Sequence, residues 1–187
     1  MKNVFFAIAL ITAILSGCTG IPKGVKAIDG FEINRYLGTW YEVARLDHRF
    51  ERGLTKVTAT YTLRPDGGVN VLNKGWNQTD GKWEKAEGKA YFVGQPDNGR
   101  LKVSFFGPFY GGYNIIDLDK NNYAYAMVTG PDKSYFWILA RTPQLAYPIK
   151  QQLITKAKEL GFATDKLIYV NQTPVVVDYE AGRHVRH

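Results

Sequence analysis

The sequence predicts an all-β fold: an eight-stranded up-and-down antiparallel β-barrel with a C-terminal α-helix packed on its outside and a short ninth strand. Two observations predict it. Eight short β-prone runs follow one another at near-regular spacing, cut by turn chemistry. After the eighth run the apolar period changes from two residues to that of a helix.

The runs are Gly38–Leu46, Thr55–Leu63, Gly68–Trp76, Glu84–Val93, Arg100–Phe106, Gly112–Leu118, Asn122–Thr129 and Ser134–Arg141. Between them stand segments such as Arg64-Pro65-Asp66-Gly67, Thr79-Asp80-Gly81, Pro96-Asp97-Asn98-Gly99 and Gly130-Pro131-Asp132-Lys133, rich in residues that tolerate or pre-set turn dihedrals. Short turns between neighbouring strands give an antiparallel meander, and closing it removes the exposed edges. The second run shows the alternation of a half-buried strand, with Val57, Ala59, Tyr61 and Leu63 set against Lys56, Thr58, Thr60 and Thr62. The fifth does the same with Leu101, Val103 and Phe105 against Lys102 and Ser104.

The helix is read from Ala146, Ile149, Leu153, Ala157 and Leu160, one apolar stripe that lies against the barrel's outside. Pro148 fits its first turn and Gly161 its end. Leu167–Val170 reads as the ninth strand.

An eight-stranded barrel either fills with side chains or holds one small ligand. The inner face inferred for the fourth run (Ala86, Gly88, Ala90 and Phe92) is mostly small, which favours room inside. Ala59, Tyr61, Ala90, Phe92, Phe105, Tyr113 and Ile115 are the candidate ligand-binding residues. The aromatic, glycine-flanked segment Phe106–Gly112 is a candidate lip that swings over a ligand.

The chain begins with Lys2 and an apolar run, Val4–Leu15, shorter than the roughly 20 residues a spanning helix needs. It has the layout of a signal peptide, expected to cover residues 1–17. Leu15-Ser16-Gly17-Cys18 resembles a bacterial lipobox, which implies cleavage before Cys18 and lipidation of its thiol and new amino group. Two or more acyl chains hold a protein stably at a membrane surface. Thr19 stands where an aspartate would signal retention at the inner membrane, so the outer membrane, facing the periplasm, is the expected location. Residues 18–187 are then a single domain, with 18–30 as linker and 173–187 as a tail containing the β-prone Val175–Tyr179. Cys18 is the only cysteine, so no disulfide is available.

The formal net charge is +7 without any block of five basic residues, which suits anionic lipid headgroups and argues against a nucleic-acid partner. The three histidines, His48, His184 and His187, leave little material for a metal site, and no cofactor is expected. Enzymatic turnover is not expected either: the thiol is spent on the anchor, His48 stands alone and no nucleophile elbow appears. Glu42 is an inward carboxylate for which a hydrogen-bonded structural role is expected.

Three segments carry a family resemblance. Asn34–Arg45, with Gly38-Thr39-Trp40 as its kernel, resembles the first signature of the lipocalins. Leu118-Asp119 with Asn122-Tyr123-Ala124 resembles the second, and Phe136–Pro143, containing Arg141, the third. They fall in order over residues 30–171 with a helix after the last, and with the lipobox they resemble the bacterial outer-membrane lipoprotein members, relatives of apolipoprotein D. Gly38, Trp40, Asp119 and Arg141 are the structural signature residues, Trp40 and Arg141 being expected to plug the barrel's base by cation–π stacking. The resemblance implies a protein that binds fatty acids or lysophospholipids in maintenance of the cell envelope, with a homodimer as one state although no self-complementary patch is legible. The alternative is an envelope-stress scaffold whose barrel is filled and whose outer surface does the work.

Overall fold

The structure is a computed structural model that describes residues 19–174. The expected signal peptide, Cys18 and the β-prone stretch of the tail lie outside the described residues.

Eight antiparallel strands close into a barrel: β1 (Gly38–Arg45), β2 (Leu54–Leu63), β3 (Val69–Asn77), β4 (Lys82–Phe92), β5 (Arg100–Phe106), β6 (Phe109–Leu118), β7 (Tyr125–Thr129) and β8 (Phe136–Ala140). Consecutive strands pair, and β1 closes the circle by pairing with both β2 and β8. A one-turn helix, α1 (Ile33–Tyr36), precedes β1. Helix α2 (Tyr147–Glu159) and the two-residue β9 (Ile168–Tyr169), which pairs with β1, follow β8. Strand number, order and direction are those the sequence predicts.

Strand ends differ from the sequence reading, each for a local reason. β7 starts at Tyr125 rather than Asn122 because the Asp119 carboxylate accepts from the backbone N–H groups of Asn121, Asn122 and Ala124, curling that stretch into a turn. β6 starts at Phe109, since Phe106 pairs with Phe109 across Gly107-Pro108. The segment expected to be a swinging lip is therefore the tip of a hairpin. Ser134 and Tyr135 belong to the β7–β8 connection, where the Asp132 carboxylate accepts from the Ser134 N–H.

Two apolar clusters share the barrel wall. Inside, Trp40, Tyr61, Val69, Val71, Ala90, Leu101, Ile115 and Val128 form the main core. Outside, α2 lays Leu153 and Ala157 against Ala44, Ile116, Met127, Phe136 and Ile138. Gly161 ends the helix with φ at +81°, a left-handed conformation that glycine adopts without steric cost.

Connections alternate between the two ends. The base is marked by Trp40, Arg141 and the β6–β7 turn. The Arg141 guanidinium carbon lies 4.0 Å from the centre of the Trp40 ring. Arg141 donates to the backbone oxygens of Arg35 at 2.7 Å, Thr39 at 3.1 Å and Tyr123 at 3.3 Å. The Trp40 indole N–H donates to the Tyr36 carbonyl at 2.8 Å, so the fully buried ring is fixed from both sides. Gly38, at φ +90°, sits 3.4 Å from the Arg141 guanidinium at the place a Cβ would take. The β1–β2, β3–β4, β5–β6 and β7–β8 connections form the opposite end, the mouth.

Candidate ligand-binding site

A cavity runs inside the barrel from the base toward the mouth. It encloses about 120 Å³ in the measure in which a single water needs roughly 10–15 Å³. Alternation along the strands sends Val57, Ala59 and Tyr61 from β2, Val69 and Val71 from β3, and Leu101, Val103 and Phe105 from β5 into its wall. Ala90 supplies the wall from β4.

Five of the seven residues read from the sequence border this space: Ala59, Tyr61, Ala90, Phe105 and Tyr113. Phe92 and Ile115 do not. Both belong to the interior cluster but pack toward the base, Phe92 against Phe31 and Ile115 beside Gly99. The small residues of β4 also contribute less room than expected. A Cβ on Gly88 would come within 2.8 Å of the Phe105 ring and the Ser104 carbonyl, so that position is already filled. Ala86 is exposed, because the β4–β5 ladder runs only from Lys89 to Phe92 on the β4 side.

Two polar groupings interrupt the apolar wall. Toward the base, the Tyr113 hydroxyl lies 2.8 Å from the hydroxyls of both Tyr36 and Tyr61. Burial pushes all three phenols well above the usual tyrosine range, so they are neutral donors and acceptors.

Nearer the mouth stands a buried ionic cluster. The ladder between β1 and β8 shifts register between Glu42 and Ala44. Such a bulge flips the side chains that follow it. Ala44 consequently faces α2 outside, and Arg45 joins Glu42 in the interior. Arg45 donates to the Glu42 carboxyl at 2.8 Å and to the Glu51 carbonyl at 2.7 Å. The Glu51 carboxyl accepts from the Trp137 indole at 3.1 Å and lies 3.8 Å from Arg45 Nε. Both carboxyl groups border the cavity. Burial and the neighbouring Glu51 push the Glu42 carboxyl up to about 8, outweighing the Arg45 charge, and burial raises Glu51 as well. Two carboxyls facing one guanidinium thus share a proton near neutrality, which avoids burying a net charge. His48 is held down to about 4 by burial and by Arg45, and it stacks between Phe50 and Tyr135.

Residues 170–172 seal the gap where β1 and β2 diverge. Gln172 donates to the backbone oxygens of Glu42 at 2.8 Å and Val57 at 2.9 Å. Asn73, on β3, borders the cavity with a buried side-chain oxygen that has no partner among the described residues.

Arg45, His48, Glu51, Tyr36 and Asn73 are absent from the sequence-based site. The bulge that turns Arg45 inward leaves no periodic trace, and Glu51 lies in a connection. Tyr36 had a signal, its spacing of four from Trp40. Among the described residues no group of three or more His, Cys, Asp or Glu is arranged to hold a metal ion.

Residues 31–172 match the family described as a lipocalin-like domain. The Outer membrane lipoprotein Blc of Vibrio cholerae is 54% identical over 172 residues, covering 92% of this chain and 99% of its own. The protein of the same name from Escherichia coli K12 is 58% identical over 151 residues, covering 81% and 85%. Insecticyanin from the tobacco hornworm Manduca sexta shares the fold at a TM-score of 0.65 with 22% identity, over 83% of this chain and 88% of its own. Its barrel, base plug and family match make the chain a member of the lipocalin family.

Proposed function

We propose that the barrel binds a single-tail amphiphile, a fatty acid or lysophospholipid, at the outer membrane and serves maintenance of the cell envelope. The carrying observation is the interior cavity with apolar walls and a polar cluster on its mouth side. The acyl tail occupies the space between Val69, Ala90, Leu101 and Val103, since burying each methylene contributes about 0.8 kcal/mol. The headgroup meets Asn73 and the Glu42–Arg45–Glu51 cluster, where an unpartnered buried oxygen favours a ligand able to donate a hydrogen bond.

Cys18 is the lipid attachment site, and the mature chain is held to the outer membrane on its periplasmic side. The lipobox-like sequence supports this, as do relatives at 54–58% identity that are named outer membrane lipoproteins. The protein binds rather than transforms its ligand.

Native mass spectrometry of protein lacking the signal peptide and Cys18 tests the reading. Co-purifying fatty acid or lysophospholipid is the expected result. An empty barrel whose tryptophan emission does not respond to added fatty acid overturns it and favours a filled-barrel scaffold. Recovery of a chemically altered lipid after incubation overturns the non-enzymatic part.

A further inference from the structure

The barrel mouth has an aromatic rim. Phe106 and Phe109, the paired residues at the β5–β6 tip, are 83% and 75% exposed. Trp83, at the start of β4, is 54% exposed and meets Trp76 edge-on, and Phe50 in the β1–β2 connection is 62% exposed. Large apolar rings thus stand in solvent in or beside three of the four mouth connections. Among the described residues, the remaining exposed aromatics, Tyr147 and Tyr169, both have Lys150 over their rings, whereas no lysine or arginine lies over the four rim rings. The β5–β6 hairpin from Ser104 to Gly112 contains no charged residue. Rings projecting from an uncharged tip suit the interfacial layer of a bilayer, where amphipathic aromatics concentrate.

The start of the described chain lies at this same end. The Gly20 carbonyl accepts from the Asn114 side chain at 2.9 Å, and a Cβ on Gly112 would meet both Gly20 and Pro131 of the β7–β8 mouth connection. From there the chain runs along β6 toward the base, Ile28 donating to Ile115 and Phe31 to Asp97. Gly112 stands three residues from Phe109, roughly 10 Å along the strand. The anchor proposed at Cys18 precedes Gly20 by two residues in the sequence.

We infer that the lipocalin docks mouth-first on the lipid surface, the rim formed by Phe50, Trp83, Phe106 and Phe109 entering the headgroup layer beside the Cys18 anchor. The geometry sets the cavity opening against the source of its ligand, so an amphiphile passes from leaflet to barrel without crossing water. This inference rests on the lipid-anchor part of the proposed function and is independent of which ligand fills the cavity.

The test uses the full lipidated chain reconstituted in vesicles of phosphatidylethanolamine with a minor share of phosphatidylglycerol. A two-chain phosphatidylcholine brominated high on its acyl chains is added, since it is too bulky to enter the cavity. The difference in emission between the wild type and W83F reports Trp83. More than half of that emission is expected to be quenched, and F106S/F109S, whose sites are exposed and outside the cavity, is expected to remove most of the quenching at unchanged circular dichroism. Unquenched Trp83 in protein whose N-terminal peptide has the mass of the lipidated form overturns the proposal. An N-terminal peptide without lipid overturns it too, by removing the anchor that sets the orientation. Rim-to-rim cross-links between two chains that F106S/F109S abolishes, with Trp83 unquenched, overturn it in favour of a second copy. A quenched rim on protein that fails to displace a fluorescent fatty acid leaves mouth-first docking supported and refutes the ligand reading alone.

Discussion

The Arg45 guanidinium donates to the Glu42 carboxyl at 2.8 Å inside the barrel, with both side chains buried. Removing Arg45 leaves the carboxylate that stays ionised in the Glu42–Glu51 pair without its counter-charge, which costs about 3–5 kcal/mol. Arg45→Met is expected to destabilise by that amount in urea denaturation at neutral pH, and a loss below about 1 kcal/mol would refute a structural role for the pair.

Glu42 titrates at about 8 in the folded chain, above its unfolded value of 4.5. Between those values the folded state binds more protons, so stability falls as pH rises through about 8. Glu42→Gln cannot lose that proton. Its denaturation midpoint is expected to change less than the wild type's between pH about 5 and 8. Parallel profiles would show that Glu42 is not the group responsible.

His48 shifts the opposite way, to about 4 from 6.5. The unfolded chain binds the extra proton between those values, so stability falls as pH drops through that window. His48→Phe keeps an aromatic ring between Phe50 and Tyr135 and is expected to lessen the acid sensitivity. The check is thermal denaturation across the window.

Tyr113→Phe removes the shared partner of Tyr36 and Tyr61 and leaves two buried hydroxyls to find others. A cost of about 1–3 kcal/mol is expected from chemical denaturation, with Tyr61→Phe milder because Tyr36 and Tyr113 keep their bond. Equal losses would refute a central place for Tyr113.

Trp40→Ala is expected to cost roughly 3–5 kcal/mol by removing a fully buried ring. Arg141→Lys keeps the charge but loses the planar face over the indole and the spread of donors to three carbonyls. Both are expected to lower the melting temperature while leaving fatty-acid affinity in the surviving folded protein unchanged, because neither residue borders the cavity.

Ala90→Trp fills the cavity from β4 without touching the ionic cluster. Loss of fatty-acid binding with a retained melting temperature is the expected result, measured by displacement of a fluorescent fatty acid. Undiminished binding would place the ligand elsewhere.

The sequence by itself determined the barrel, because strand alternation and turn chemistry are local properties repeated eight times along the chain. It likewise determined the outer helix, through its stripe from Ala146 to Leu160 and the glycine that ends it. Trp40 and Arg141 were legible as a pair through the family signatures, although 101 residues separate them. The candidate site was legible only where alternation held, as at Ala59, Tyr61, Ala90, Phe105 and Tyr113. Phe92 and Ile115 point inward too, yet period alone does not say how far along the barrel the open space extends. Tertiary structure alone decided the polar half of the site. The β1 bulge that sends Ala44 out and Arg45 in is fixed by pairing with β8, a strand some ninety residues away, and not by any local preference of those residues. It brought together Glu42, Arg45 and Glu51, since only a closed barrel excludes enough water to raise a carboxyl there. The placing of Gly20 beside the mouth was decided in the same way, by the Asn114 side chain and the absence of a Cβ at Gly112.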